Sequence, residues 1–511
     1  MHAMIEPPPS KQTSLKVRIR LWVIAPIVVV LIAYLWFISA GMWFPWPKTS
    51  IYDYYSGLAL AFQHGHLYLD EEPRPELLAL PDPYRIGARK GIPHIWDASL
   101  YQGHYYLYWG PAPALVLLPI QSILGIQPIS DLYLVLGFVY LLYLIICALM
   151  VRTWRRYFSD LPPWTLALGL LLGGLAPPLT WMLNRPEVYE AAIAAGQFFL
   201  LTGVYLFYAA IGSGKPSAAK LALTSGCWGL AIASRTSHAL PVAFLLIAAG
   251  SMLAASIRQS GVTPAFSRAA VALVVPLLIS VLALLWYNWA RFGSALEFGY
   301  RYQLTLLHLP KHYGEIMSPA YVLPNLSNYF LNPFTTNAIF PFIRPQYGAE
   351  FSSNPSVPAI YFSEAVTGLL YTFPFILIGL HGSLVRKHQE PAARDVDKSP
   401  IPDRSLRWFL LSLAGVLVLE FCTLLFFFFA TERYLADGVP VLTLLCVIGF
   451  WRAHKLFSDR PKTRALLSIA AIALALISIV STSLLAISSS QDRFLRTNPE
   501  LMQRISQFFG L

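Results

Sequence analysis

The chain has 511 residues, 56% of them hydrophobic and only 12% charged, with a mean hydropathy of +0.55. Soluble domains carry roughly 25% charged residues, and several uncharged apolar runs here exceed the roughly 18 residues a helix needs to cross hydrocarbon, so a water-soluble fold is excluded. The net charge of +11 and pI near 9.4 do not point to nucleic acid, because Lys and Arg stand at the ends of apolar runs rather than in one patch.

The expected fold is all-α: a polytopic transmembrane helical bundle of about eleven spans with two large extracytoplasmic loops. Short alternating segments, the mark of a β-barrel, do not dominate. The first apolar run, Leu21 to Phe44, follows Lys11, Lys16, Arg18 and Arg20. It is too long for a signal-peptide core and reads as a retained anchor behind a cytoplasmic segment, residues 1–20. Further spans are expected at 132–151, 164–183, 191–212, 221–236, 238–255 and 269–290, then at 358–384, 407–430, 437–453 and 464–487.

With the N-terminus inside, Arg152, Arg155 and Arg156, then Lys215 and Lys220, Arg258 and Arg268, Arg386 and Lys387, and the 452–464 cluster all become cytoplasmic. The odd number of spans puts the C-terminus outside. Residues 111–126 are apolar, yet a full crossing there would turn the Arg152 cluster outward, so an interfacial or re-entrant helix is expected. The chain divides into an N-terminal membrane module (21–290) holding a first outer loop (45–110), a second outer loop (291–357), C-terminal membrane helices (358–488) and an outer tail (489–511). The loop 385–406, with Pro391, Pro400 and Pro402, reads as a flexible connection. Cys147, Cys227, Cys422 and Cys446 all fall inside expected spans and read as small packing residues, with no disulfide, zinc or redox motif.

Ionisable residues near the outer face carry the chemical signal. Asp53, nine residues after the first span in IYDYYSGLALAFQHGHLYL, is either the cap of a juxtamembrane helix or a general base or metal ligand. Glu187, in the short turn NRPEVYE beside Arg185, Tyr189 and Glu190, is either half of a solvated ion pair or a second acid facing an outer cavity. Asp97, in DASLYQGHYYLYWGP, is a further carboxylate or an ordinary helix cap. Arg235, Arg291, Arg301 next to Tyr300, and Arg433 could meet an anion there; an arginine at a span end also snorkels to lipid phosphate. Arg235 is the sharpest case because it interrupts an apolar stretch, where a guanidinium is expensive unless it lines a polar cavity. His238 beside it reads as a hydrogen-bonding residue, since no second histidine stands at ligand spacing from it.

These stretches, together with YNWARFGSALEFGYRYQ after a middle span and RYLADGVP entering a late one, resemble the GT-C superfamily of membrane glycosyltransferases. That group includes protein O-mannosyltransferases and the aminoarabinose transferase of lipid A. The resemblance touches most of the chain and implies a polyprenyl-phosphate-linked sugar donor, a glycan, lipid or protein acceptor entering from outside, and Asp53 as catalytic base. Asp53 is followed by Tyr54 and Tyr55 rather than by a second acid, so a divalent cation, if used, would need Glu187 or Asp97 to supply another carboxylate. Arg235, Arg301 and Arg433, in that order, would hold the donor phosphate; Asp97, Glu187, Tyr189, Arg291 and Tyr300 would line the cavity. No P-loop or dinucleotide fingerprint appears.

The bilayer is the expected partner, and a bacterial plasma membrane is favoured by the short basic N-terminus and the lack of an endoplasmic reticulum retrieval signal. A transporter or lipid flippase is the rival reading, though the repeated halves common in transporters are not visible. A third is a catalytically silent relative that only binds lipid-linked sugar.

Overall fold

The computed structural model describes residues 11–44, 46, 50, 52–126, 128–211, 217–260, 264–348, 356–379, 404–489 and 492–510. Among these, nine helices are long and apolar enough to cross a bilayer, and the chain is a multi-pass helical membrane protein. Helix α1 (Lys11–Ile38) leads into a short surface helix α2 (Tyr54–Gln63), and α3 (Ala112–Leu124) precedes the long α4 (Asp131–Tyr157). Next come α5 (Trp164–Leu175) and α6 (Leu179–Asn184), one crossing broken at Pro177 and Pro178, then α7 (Val188–Ile211), α8 (Ala218–Ser234), α9 (Ala239–Ser260) and α10 (Pro264–Phe292). Helices α11 (Arg404–Phe426), α12 (Leu435–Leu456) and α13 (Pro461–Ser488) close the bundle, and α14 (Pro499–Phe508) ends the chain.

Packing explains the order of burial. Helix α12 is 94% buried over its apolar window and forms the centre, whereas α10 is 17% buried and turns most of its surface outward. Small residues let neighbours approach: the Tyr34 hydroxyl of α1 donates to the Gly174 carbonyl of α5 at 2.7 Å, and such small-residue contacts drive helix association where lipid is as apolar as leucine.

Two ends can be told apart. At one, the Lys455 ammonium meets Asp160 at 3.0 Å beside the Arg155 and Arg156 turn of α4. The opposite end carries both large loops, and there Arg493 of the tail donates to the Ile38 carbonyl at 2.8 Å. Helix α3 has 13 residues, about 20 Å at 1.5 Å per residue, too short for a crossing of about 30 Å. The interfacial reading of 111–126 agrees with that length. Helix α8 has 17 residues, about 25 Å, and is packed between α7 and α10.

The span expected over 358–384 is not one continuous helix. Phe362–Ser363 pairs in parallel with Phe429–Ala430, a single turn Leu369–Thr372 follows, and helical backbone resumes only at Ile376. Pro358 and Pro374 lack the N–H that a helix interior needs, and the Gly368 N–H is committed to the Asn332 carbonyl at 2.7 Å. Residues 380–403, with Arg386, Lys387 and the prolines of that connection, lie outside the described residues, as does Lys215.

Candidate functional site

Asp53 stands at the cap position of α2, but its side chain makes no capping hydrogen bond. The cap comes from elsewhere: the Tyr54 and Tyr55 N–H groups donate to the two carboxylate oxygens of Asp131, at 3.0 and 3.2 Å. Asp131 opens α4 and is 1% exposed, so one carboxylate satisfies two otherwise orphaned donors of α2 and locks it onto the bundle. The Tyr54 ring then packs edge-on against Trp109 at 5.7 Å, and its hydroxyl donates to the Trp96 carbonyl.

The stretch around Asp97 folds as a hairpin. Strands β1 (Ser99–Tyr101) and β2 (His104–Tyr106) pair antiparallel across Gln102 and Gly103, both at positive φ, the turn geometry that matches strand twist. Asp97 adopts a left-handed φ of 59° and leads into a strand, so the helix-cap reading does not apply. The exit from β2 is clamped by Arg291, which is 4% exposed, donates to the Leu107 carbonyl at 2.6 Å and to Asn288 at 2.8 Å, and lies 3.8 Å from the Tyr287 ring centre. Arg291 thereby positions Tyr108, Trp109 and Gly110. Gly110 meets the backbone of Ala233 so closely that a Cβ would overlap its carbonyl.

Those three residues form one wall of a cavity of about 360 Å³. Tyr189, Tyr300, Tyr313, Phe427 and Tyr434 form much of the rest, and Ser234, Arg235 and Ser237 line it where α8 ends. Arg235 is the C-cap residue of α8 and turns from the helix into the following 3-10 turn Thr236–His238. Its guanidinium pairs with Asp437 of α12 at 2.9 Å and sits 4.8 Å from the Tyr434 ring centre.

A second cationic centre adjoins the first. Arg433, 3% exposed, bonds Glu364 at 3.0 Å and lies 4.7 Å from the Tyr189 ring centre and 5.6 Å from that of Tyr434. Arg185 approaches Glu364 at 3.9 Å and holds Glu187 at 3.1 Å. The Tyr189 hydroxyl donates to Asp97 at 3.0 Å and accepts from Gln303 at 3.3 Å. Thus Asp97, Tyr189, Arg433, Glu187 and Arg185 belong to one connected network, and Tyr189, Tyr300 and Arg235 face the cavity. Arg301 is peripheral: 42% exposed, it pairs with Glu297 at 3.3 Å and stacks on Tyr313 of the cavity wall at 4.2 Å.

The loop carboxylates are tuned apart. Burial pushes the Asp97 carboxyl above the usual range, against the Tyr189 hydrogen bond and the fields of Arg433 and Arg185. Burial acts the same way on Glu364, but Arg433 and Arg185 outweigh it and hold that carboxyl low. Such separation equips neighbouring acids for different proton roles. Among the described residues, Asp53 and Glu187 belong to no cluster of three metal-ligating side chains, and Glu187 pairs with Arg185.

Sequence reasoning passed over Asp131, Glu364, Asp437 and Glu190. Glu190 is fully buried, and neither carboxylate oxygen has a hydrogen-bond partner among the described residues. The signal for Glu364 was available, because it falls inside the apolar run 358–384, and an ionisable residue inside an apolar span is a functional candidate by default. Asp131, Glu190 and Asp437 stand at the edges of the apolar runs 132–151, 191–212 and 437–453 and carry no such mark.

No family model and no curated protein matches the chain. Among solved structures, it is similar to the Archaeoglobus fulgidus oligosaccharyltransferase AglB in complex with an inhibitory peptide and a dolichol-phosphate, at 12% identity and a TM-score of 0.49 over 96% of this chain and 59% of that one. The apo form of the A. fulgidus oligosaccharyltransferase gives 14% identity, a TM-score of 0.48, and coverage of 91% and 56%. The chain thus spans less than three-fifths of these proteins' length. ArnT from Cupriavidus metallidurans bound to undecaprenyl phosphate gives 12% identity and a TM-score of 0.41 over 95% of this chain and 78% of that one.

Proposed function

We propose that the protein is an inverting membrane glycosyltransferase that moves a hexosyl or pentosyl unit from a polyprenyl-phosphate donor to an acceptor hydroxyl on the extracytoplasmic face. The observation that carries this reading is the aromatic cavity with Arg235 in its wall and Arg433 against its Tyr189 and Tyr434 rings. A phosphate joined to an apolar chain calls for cations beside apolar and aromatic surfaces, and the cavity at the end of α8 supports that reading with Arg235 next to Tyr434, Phe427 and Trp109.

Asp53 takes the proton of the acceptor hydroxyl as its oxygen attacks the anomeric carbon. The bond to the donor phosphate breaks, the electron pair leaves with the phosphate, and the new negative charge falls to Arg235 and Arg433, with Arg301 at the rim adding a more distant positive charge. Fixed cations in a water-excluded cavity stabilise that charge far better than solvent does. Asp97 orients Tyr189, and Arg291 holds the Trp109 wall. The acceptor is a glycan, lipid or protein, and the membrane is a bacterial plasma membrane with the N-terminus inside and the C-terminus outside.

Transfer from radiolabelled polyprenyl-phosphate sugars is to be measured in membranes containing wild-type protein or Asp53→Asn at matched expression. Transfer by the wild type and its loss in the variant support both the reaction and the base. Movement of lipid-linked sugar across the bilayer with no donor consumed replaces the reading with a flippase.

A further inference from the structure

A second site lies at the other end of α2, built by how that helix stops. The His64 N–H donates to the Leu60 carbonyl, the Gly65 N–H to Phe62 at 3.3 Å and the His66 N–H to Ala61 at 3.1 Å. These last two bonds form a Schellman cap, whose C′ residue is left-handed, and Gly65 has φ +86°. The reversal brings His64 and His66 to face Asp70. The His64 Nδ1 lies 3.1 Å from one Asp70 carboxylate oxygen, the His66 Nε2 lies 3.0 Å from the other, and one ligand atom from each residue falls within 4.8 Å of the other two.

The hydrogen bonding of His66 points to a cation. Its Nδ1 lies 2.9 Å from the Tyr68 carbonyl, which only accepts, so Nδ1 carries the proton. In the neutral ring Nε2 is then a lone pair facing a carboxylate oxygen, two acceptors in contact. A proton or a metal ion between them makes that contact favourable. Donation of the distal ring N–H to a backbone carbonyl is the arrangement that orients metal-bound histidine. The ring is held further by stacking on Tyr68 at 4.2 Å, and Tyr68 stacks in turn on His104 at 4.0 Å. The Leu69 N–H bond to the Tyr105 carbonyl at 2.8 Å anchors the segment to β2. Two imidazoles whose ring centres are 6.0 Å apart would be like charges if both were protonated; one divalent ion supplies the same charge at a single point.

We propose that His64, His66 and Asp70 bind a divalent transition-metal ion, zinc in the first instance, on the extracytoplasmic surface. Two imidazole nitrogens and one carboxylate are a zinc donor set that leaves a fourth position open to water or another ligand. The site is independent of the donor cavity and clamps the end of α2 opposite Asp53.

The test uses full-length protein without a polyhistidine tag, purified in detergent, stripped of metal and titrated with zinc chloride alone. One ion per chain is expected, with the affinity reduced in His66→Ala and in Asp70→Asn by more than the roughly 10–100-fold that losing a second-shell partner costs. The control Asp82→Asn, which alters the separate His308–Asp82 pair, is expected to leave the affinity unchanged. Should the variants misfold, X-ray absorption on zinc-loaded wild-type protein decides: imidazole scattering with nitrogen at about 2.0–2.1 Å supports the site. No binding by the wild type, unchanged binding in both variants, or an oxygen-only shell overturns it.

Discussion

Removing the guanidinium of Arg235 tests stability and function together. At 2.9 Å from Asp437 the pair has a Coulomb attraction of about 6 kcal/mol at an effective dielectric of about 20, partly cancelled by the desolvation of both groups. Arg235→Met leaves the fully buried Asp437 carboxylate without its cation, and breaking one side of such a pair costs about 3–5 kcal/mol. That corresponds to about 2 to 3.5 powers of ten in the folded-to-unfolded ratio. Adding Asp437→Leu removes the stranded charge, so the double variant recovers most of the stability. Transfer activity is not recovered, because the phosphate still lacks its donor, a loss of about 10²–10³ in turnover. Denaturant unfolding in mixed micelles, followed by tryptophan fluorescence, and sugar transfer are the two assays. If each single variant costs less than about 1 kcal/mol, the scale of an exposed pair, or if the double variant is as unstable as the sum of the singles, the buried-pair argument fails. If the double variant is stable and fully active, the phosphate assignment fails.

Asp131→Ala removes the carboxylate that caps α2, leaving two N–H donors without it; a cost of about 2–4 kcal/mol is expected from the cap and desolvation terms, read as faster proteolysis or hydrogen exchange at Tyr54 and Tyr55. Gly110→Ala drives a methyl into the Ala233 carbonyl, so the Trp109 wall must move, and a raised KM for the donor with a lowered melting temperature is the expected pair of effects. Asp97 holds its proton more tightly when folded than when unfolded, so its contribution to stability is full below the ordinary aspartate value of about 3.9 and declines as pH rises from there through its higher folded value. Asp97→Asn should flatten that part of the stability profile, and an unchanged profile would exclude Asp97 as its source.

The membrane class, most of the crossings and the basic ends of the helices were legible in the sequence. Long uncharged runs have one stable solution in hydrocarbon, and Lys and Arg mark the ends of those runs. The sequence also marked Arg235, since an arginine within an apolar stretch stands out without any partner being known. It led astray at 358–384, where an apolar composition resembles a span although Glu364 is drawn to Arg433 and the backbone joins a strand beside Phe429–Ala430. Partners were what tertiary structure alone decided: Asp131 capping α2 from 77 positions away, Asp437 meeting Arg235, and Arg291 clamping the loop that bears Trp109. Hydrophobicity and charge are local properties that a single residue carries in its own side chain. Ion pairing and cavity shape depend on which helix ends lie side by side, and packing of the whole bundle sets that.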